Sequence, residues 1–388
     1  MIIPFYGEML FAPMGLEVSM NPCSHRCVYC FSRLNGYKRQ GTFSTIINAL
    51  RSQSESYVSK LIQQKYCLCV SNRTDPFSDN NYAETIRLLE ILTDMDYDFT
   101  IQTKTGRGID EVLEFIKPCF WYITITTGND ILSKKIEPGC PSAADRFKTI
   151  EKLVLNGHSV FVGINPFNHI WVNDKKSFIN KIKNSGAYGV VLQELHLNGY
   201  MRGRQTPEEK KLTVISKENE KHINEMFDLV RRSGLKTENF MRNGKSDLYA
   251  PFEKRYKTMP LLSNFVNWAF DHKQDNEAIT FKDFIENLGG VAPVGILPLE
   301  QFFFSTAHTT KVPKKGSFKK LLQTVWTNLS VKNNPTNWGN CFSYLIEEDE
   351  DDNRYINHVT DDDNMPIMLF SKKGYKTKFV YADGECQE

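Results

Sequence analysis

Three cysteines and a histidine fall within eight residues near the start of the chain, in the stretch "CSHRCVYC" at residues 23–30. Thiolates and imidazoles this closely spaced bind metal, and two chemistries stay open at this point. A structural zinc ion takes four ligands. Cys23, Cys27, Cys30 and His25 supply that number, although His25 lies inside the short loop between two cysteines. No second CxxC follows: Cys67 and Cys69 are separated by one residue on an expected strand, so both face the same side. A four-iron cluster normally takes four cysteines. Three leave one iron with an open position, where a catalytic centre binds its substrate.

Such a loop needs a scaffold, and composition bounds it. The chain has 388 residues, 40% of them hydrophobic and 24% charged, enough apolar residues for a large core. That length fits one big α/β domain with an appendage, or two domains. Nine cysteines form an odd count and are not spread as a disulfide framework, which points to metal or redox chemistry in a reducing cytosol. The opening "MIIPFYGEMLFAP" is too short, and too interrupted by Glu8 and two prolines, for a signal peptide. No apolar run approaches the roughly 18 residues of a membrane span. The expected location is therefore cytoplasmic, with no membrane partner.

Charge is uneven. Residues 201–345 carry 22 Lys and Arg against 15 Asp and Glu, whereas residues 346–388 carry 5 against 12. The basic runs are "MRGRQTPEEKK" (201–211), Arg231–Arg232 and "KVPKKGSFKK" (311–320), with Phe302 to Phe304, Phe318 and Trp326 interleaved. Nucleic acid is the partner this region points to, since phosphate contacts need Lys and Arg. The acidic runs at 347–352 and 361–363 read as solvated loop.

The first half of the chain alternates strands and helices. Strands are expected at 15–20, 66–71, 98–105, 120–127, 159–166 and 188–195. Helices are expected at 42–64, 81–95, 109–118, 142–157 and 175–186, with Thr42 or Ser44 and Ser142 as caps. Six mostly apolar strands alternating with five helices argue for parallel βα units. Six units in place of eight argue for a partial (β/α)6 barrel of TIM type with a mixed, partly helical C-terminal extension. The domains read as 1–200 for the barrel and 201–388 for a substrate or partner region. In such barrels the chemistry sits at the C-terminal ends of the strands.

The cysteine spacing on the loop after the first strand, with Tyr29 before the last cysteine, resembles the radical SAM superfamily. The stretches "SNRTDPF" (71–77), "TKTGR" (103–107), "ITITTGND" (123–130), "EPGCPSAADRF" (137–147) and "NPFNHIWVND" (165–174) resemble its spore photoproduct lyase-like branch, often labelled DNA repair photolyase. The match covers about residues 12–200. The resemblance implies that Cys23, Cys27 and Cys30 hold a [4Fe-4S] cluster whose open iron binds S-adenosylmethionine. It implies that Tyr29 packs near the adenine, that Thr74 and Asp75 meet the methionine amino group, and that Lys104 meets its carboxylate. Thr126 or Thr127 would offer a hydroxyl. Ser71, Asn72, Arg146 and Asn165 are further cofactor-binding candidates at strand ends, Arg146 also as a partner of Glu137. An external electron donor such as flavodoxin or ferredoxin is implied as well.

Two positions depart from the lyase pattern. Phe31 stands where a tyrosine follows the last cluster cysteine, and Asn72 lies nearest the place of a cysteine hydrogen-atom donor. Cys140 and Cys69 are the reserve thiols, Cys140 the better placed. The expected function is a radical SAM enzyme acting on a nucleic-acid base, by repair or modification. The alternatives are a radical SAM enzyme on a peptide or small molecule, and a zinc-stabilised nucleic-acid binder without catalysis.

Overall fold

A computed structural model describes residues 1–4, 16–54, 56–195, 197–237, 262–289, 296–297, 316–317, 322–323, 325–327, 329, 341–345 and 359–372. The main sheet has eight strands in chain order: β1 (Ile2–Pro4), β2 (Leu16–Val18), β3 (Leu68–Val70), β4 (Phe99–Thr103), β5 (Phe120–Thr124), β6 (Ser159–Phe167), β7 (Gly189–Glu194) and β8 (Lys236–Thr237). β1 pairs antiparallel with β2, and each pairing from β2 to β8 is parallel. The fold is α/β, a parallel sheet of the partial TIM-barrel kind, with no closing pair between first and last strands among the described residues.

Side chains alternate across each strand, which gives the sheet two different faces. Leu16, Leu68, Val70, Ile101, Ile123, Val162, Ile164 and Val190 face the helices and join the main core. On the inner face, Cys67, Phe120, Phe161 and Val191 form a small separate apolar cluster, edged by Tyr122 and Tyr188. Phe120 and Phe161 stack there at 5.1 Å. Around this plug the inner face is polar: Glu17, Thr100, Gln102, Asn165 and Gln193 share the parity of the plug residues. Gly163 leaves room for Tyr122, whose ring and hydroxyl lie where a β-carbon would stand.

The helices follow the expected order with informative differences. The helix expected at 42–64 is two, α2 (Phe43–Arg51) and α3 (Tyr57–Gln63), after a one-turn α1 (Phe31–Leu34). Thr42 caps α2 through a capping box with Thr45. The break falls in a serine ladder: Ser54 N–H bonds Ser52 Oγ at 3.2 Å, and Ser59 Oγ donates to Ser52 O at 2.8 Å. Serine hydroxyls compete with helical backbone bonds in this way. α4 (Tyr82–Asp94) matches expectation, and α5 (Ile109–Leu113) is shorter than expected. α6 (Asp130–Ile136) was not anticipated; Asn129 caps it by accepting from Leu132 N at 3.1 Å. α7 (Ala143–Leu155) begins at Ser142, as its sequence signals, and α8 (Lys175–Asn184) follows β6.

The sheet continues beyond residue 200. α9 (Gly199–Gly203), α10 (Pro207–Leu212) and α11 (Asn219–Ser233) lead to β8, so the division at 200 falls before the last parallel strand. A two-residue strand with one lysine carries no periodic signal. Further on, helices at Leu262–His272 and Phe281–Asn287 accompany an antiparallel sheet of Phe342–Tyr344, Met368–Phe370 and Glu277–Ile279. Their buried aromatics, Phe265, Phe284 and Trp326 among them, are continuous with the barrel core. No helix of the described residues is long and apolar enough to cross a membrane.

Candidate metal and cofactor centre

The cysteine loop leaves β2 and is clamped from both sides. Val28 N–H donates to Ile136 O at 2.9 Å, Gly139 N–H to His25 O at 3.0 Å, and Gln205 Nε2 to Val28 O at 2.8 Å. Arg26 takes a left-handed φ of 54°, which turns the chain between Cys23 and Cys27. Cys30 caps α1, its Sγ accepting from Arg33 N at 3.4 Å. Cys27 is buried, and Cys23 and Cys30 are half-buried. Burial pushes the Cys30 thiol up to about 11 and raises Cys23 as well. Cys27 is different: a contact with Cys140, Sγ to Sγ 4.0 Å, holds its thiol below the ordinary value although burial opposes this.

The donor set, three thiols on one loop, fits a cluster that keeps one iron open. Sulfurs around one tetrahedral zinc stand about 3.8 Å apart, given Zn–S bonds near 2.3 Å. Among the described residues, the His, Cys, Asp and Glu side chains whose ligand atoms gather closely enough to share an ion are His169, Glu218 and His222, not the loop cysteines. His25, the fourth zinc ligand that the spacing allowed, is buried with Nδ1 3.6 Å from Asp75 Oδ2. At His222 a cation is already in place, for Lys175 Nζ lies 2.6 Å from its Nδ1 and from Glu225 Oε2.

A buried buckle holds the loop's underside. Glu137 Oε2 lies 2.6 Å from Arg146 Nη1, and Tyr29 donates its hydroxyl to Glu137 Oε1. Arg146 also reaches Pro141 O from Nε and Nη2, Thr124 O from Nη1 and Ser133 Oγ from Nη2. Five N–H donors thus have five protein contacts. Arg146 therefore serves as the brace of this turn. Its pairing with Glu137 is as expected. Gly139 makes the close approach possible, because a β-carbon there would stand 2.6 Å from His25 Cα.

The tip of β3 meets the end of β4 through Asp75. Its Oδ1 accepts from Phe77 N at 3.0 Å and Thr103 Oγ1 at 2.8 Å, and its Oδ2 from Lys104 N at 2.6 Å. The carboxylate ties the two strand ends together, with three of its roughly four acceptor sites taken. Ser71, at φ 64°, donates to Thr74 O at 2.7 Å and shapes the turn. Asn72 turns its side chain to Glu17. Lys104, half-buried, has its ammonium 6.0 Å from the Tyr29 ring centre. Burial opposes its charge, but Cys27, Glu137, Cys140 and Asp75 together raise its pKa above the ordinary value. Of the two threonines at the end of β5, Thr127 is engaged, donating to Trp171 O at 2.6 Å. Thr126 is fully buried and its hydroxyl has no protein partner. Asn165 donates to Gln193 Oε1 at 2.7 Å on the inner face.

Several functional features were missed or misplaced in the sequence reading. Glu17 is fully buried on the inner face, with Arg73 Nε at 3.1 Å from its Oε1. Burial pushes its carboxyl up to about 7, against the Arg73 charge and the Asn72 hydrogen bond. A lone acid inside "GLEVSM" was the available signal. Trp171 forms an aromatic wall with Tyr29, ring centres 5.7 Å apart. Cys69 is fully buried beside Glu17. Phe31 is 48% exposed at the surface. Trp326 is core, its Nε1 donating to Pro366 O at 2.8 Å, and so leaves the set of interleaved surface aromatics. Phe302 to Phe304, Phe318, and the lysines at 314, 315, 319 and 320 lie outside the described residues.

No family model matches the chain, and no curated protein does. Solved structures do. Spore photoproduct lyase complexed with dinucleoside spore photoproduct is similar at 12% identity and a TM-score of 0.42, over 59% of this chain and 79% of that one. A variant of the same lyase with bound AdoMet and the dinucleoside gives 12%, 0.42, 59% and 78%. SuiB of Streptococcus suis bound to precursor peptide SuiA gives 13%, 0.41, 61% and 50%, so this chain spans half the length of SuiB.

Proposed function

We propose that this chain is a radical SAM enzyme that reductively cleaves S-adenosylmethionine at a [4Fe-4S] cluster and directs the resulting 5′-deoxyadenosyl radical at a nucleic-acid base, for repair or modification. One arrangement carries the reading: three thiols on one loop, a set that leaves a fourth position open, with the Lys104 ammonium over the ring of Tyr29 in that loop. Cys23, Cys27 and Cys30 would hold the cluster. Lys104 offers an ammonium to a carboxylate, a charge-assisted contact at a half-buried place. Thr126 offers a hydroxyl whose burial without a partner is otherwise unfavourable. Tyr29 and Trp171 give an aromatic wall, and the Glu137 carboxylate fixes the Tyr29 ring. The polar inner face beyond the plug is the place for the substrate.

The substrate class rests on charge. Arg204, Lys210 and Lys211 are exposed beside Glu208 in the segment that Gln205 pins to the cysteine loop, so exposed positive charge lies next to the centre. Neither Phe31 nor Asn72 offers the phenol or thiol of the lyase pattern, and the reading does not extend to spore photoproduct itself. Cys140 and Cys69 are the thiols proposed to return hydrogen to a product radical. An acidic one-electron carrier is the proposed reductant.

The test is metal and product analysis of anaerobically purified protein. The expected preparation is brown, carries about four irons and four sulfides per chain, and releases 5′-deoxyadenosine when reduced with S-adenosylmethionine. Cys27→Ala loses all three properties. Stoichiometric zinc without deoxyadenosine would overturn the assignment in favour of a zinc-stabilised protein. Product appearing only from peptide or small-molecule extracts would move the substrate away from nucleic acid.

A further inference from the structure

Cys140, proposed above as a thiol that returns hydrogen to a product radical, stands against a cluster-binding cysteine, a position that role does not explain. It sits outside the CxxxCxxC loop, more than a hundred residues downstream, yet its sulfur lies 4.0 Å from that of Cys27. Four restraints make this proximity a built feature. Glu137, three residues earlier, is held by Arg146 and Tyr29. Cys140 N–H bonds Glu137 O at 3.0 Å, closing a tight turn. Gly139 N–H bonds His25 O, and the missing β-carbon at Gly139 lets the two backbones touch. Pro141, next in the chain, has its carbonyl gripped twice by Arg146.

We infer that Cys140 is a positioning residue whose S–H donates a hydrogen bond to the Cys27 thiolate and thereby raises the reduction potential of the cluster that Cys27 binds. The inference rests on the cluster reading proposed above. The direction of the bond follows from ligation. A ligating cysteine is a thiolate with no hydrogen to give, so the hydrogen between the two sulfurs must belong to Cys140. A hydrogen bond to a cluster sulfur stabilises the more negative, reduced state more than the oxidised one, and such bonds are among the levers that set cluster potentials. Cys140 is not assigned as a fourth ligand, and the iron content of its variants tests that assignment.

The experiment is a reductive titration of the cluster-loaded protein, followed by the paramagnetic signal of the reduced cluster, in wild type, Cys140→Ala and Cys140→Ser. Iron and sulfide are counted in each. Cys140→Ala should keep its iron and move to a more negative potential, so that the reduced-to-oxidised ratio at the wild-type midpoint falls about fivefold, the worth of one ordinary hydrogen bond. Cys140→Ser keeps a donor and should recover most of the shift, which a merely space-filling role would not produce. Identical potentials in wild type and Cys140→Ala at full iron content would overturn the inference. So would loss of iron in both variants, since Cys140 would then be a ligand. A wild type that holds zinc and no cluster removes the proposed function itself, a result distinct from either.

Discussion

Glu137 and Arg146 form an ion pair of 2.6 Å in which neither side chain is more than 1% exposed. The carboxylate ends α6, the guanidinium lies in the first half of α7, and the turn between them carries Gly139 and Cys140. Arg146→Met should therefore cost about 3–5 kcal/mol, because it strands a buried carboxylate. Arg146→Lys should recover little, since one ammonium cannot serve Thr124 O, Pro141 O, Ser133 and Glu137 together. Adding Glu137→Gln to Arg146→Met should restore part of the loss. Urea midpoints of the four proteins measure this, and an Arg146→Met midpoint equal to wild type would remove the bracing role.

Thr126 separates binding from folding. Its hydroxyl is buried without a protein partner, so Thr126→Val should leave stability unchanged or slightly higher. The same change should weaken S-adenosylmethionine binding by roughly tenfold, the value of one hydrogen bond at a desolvated site. Equilibrium dialysis on cluster-loaded protein gives the answer. Lost stability with unchanged affinity would return Thr126 to the core.

Glu17 predicts a pH dependence. Its carboxyl is raised to about 7 in the folded chain from an ordinary value of 4.5. Between these values the folded state keeps a proton that the unfolded state has released. Stability contributed at this site therefore falls as pH rises from 4.5 to 7, and stays low above that. Glu17→Gln lacks the effect. The wild-type stability relative to Glu17→Gln should drop between pH 4.5 and pH 7.5 by on the order of 3 kcal/mol. Denaturant titrations at the two pH values test it; a constant difference would mean an ordinary carboxylate.

The basic segment gives a salt signature. Changing Arg204, Lys210 and Lys211 to Ala should weaken single-stranded DNA or RNA binding and flatten its dependence on salt by about two units of slope. These side chains are exposed, so the cluster content should not change. Unaltered binding would favour a substrate other than nucleic acid.

The fold was legible wherever periodicity was strong. β3 to β7, α4, α7 and α8 follow apolar patterns of clear period, and Ser142 announces its helix. The cysteine loop was legible by spacing alone. What escaped depends on distant partners. Arg146 could be paired with Glu137 from the sequence, but its contacts with Thr124, Pro141 and Ser133 could not. The ties of Asp75 to Phe77, Thr103 and Lys104 could not be read from its sequence neighbourhood. The Cys27–Cys140 contact spans 113 positions and depends on how Gly139 and the Glu137–Arg146 pair fold the turn, which the sequence does not show. β8 is too short to show a pattern at all.

The unclosed sheet bears on what can enter. In a closed ring of strands, hydrogen bonds fix the circumference, and a guest must pass through the mouth end-on. Here the order from β1 to β8 has two terminal strands that do not pair with each other among the described residues. The bore of the described sheet is then governed by the twist between neighbouring strands, a soft variable. For a polymer substrate of the kind proposed above, an unclosed sheet would let one unit turn inward while the chain on either side stays in water. The same geometry suits a nucleotide flipped from a strand and a residue within a longer peptide, and excludes neither by length.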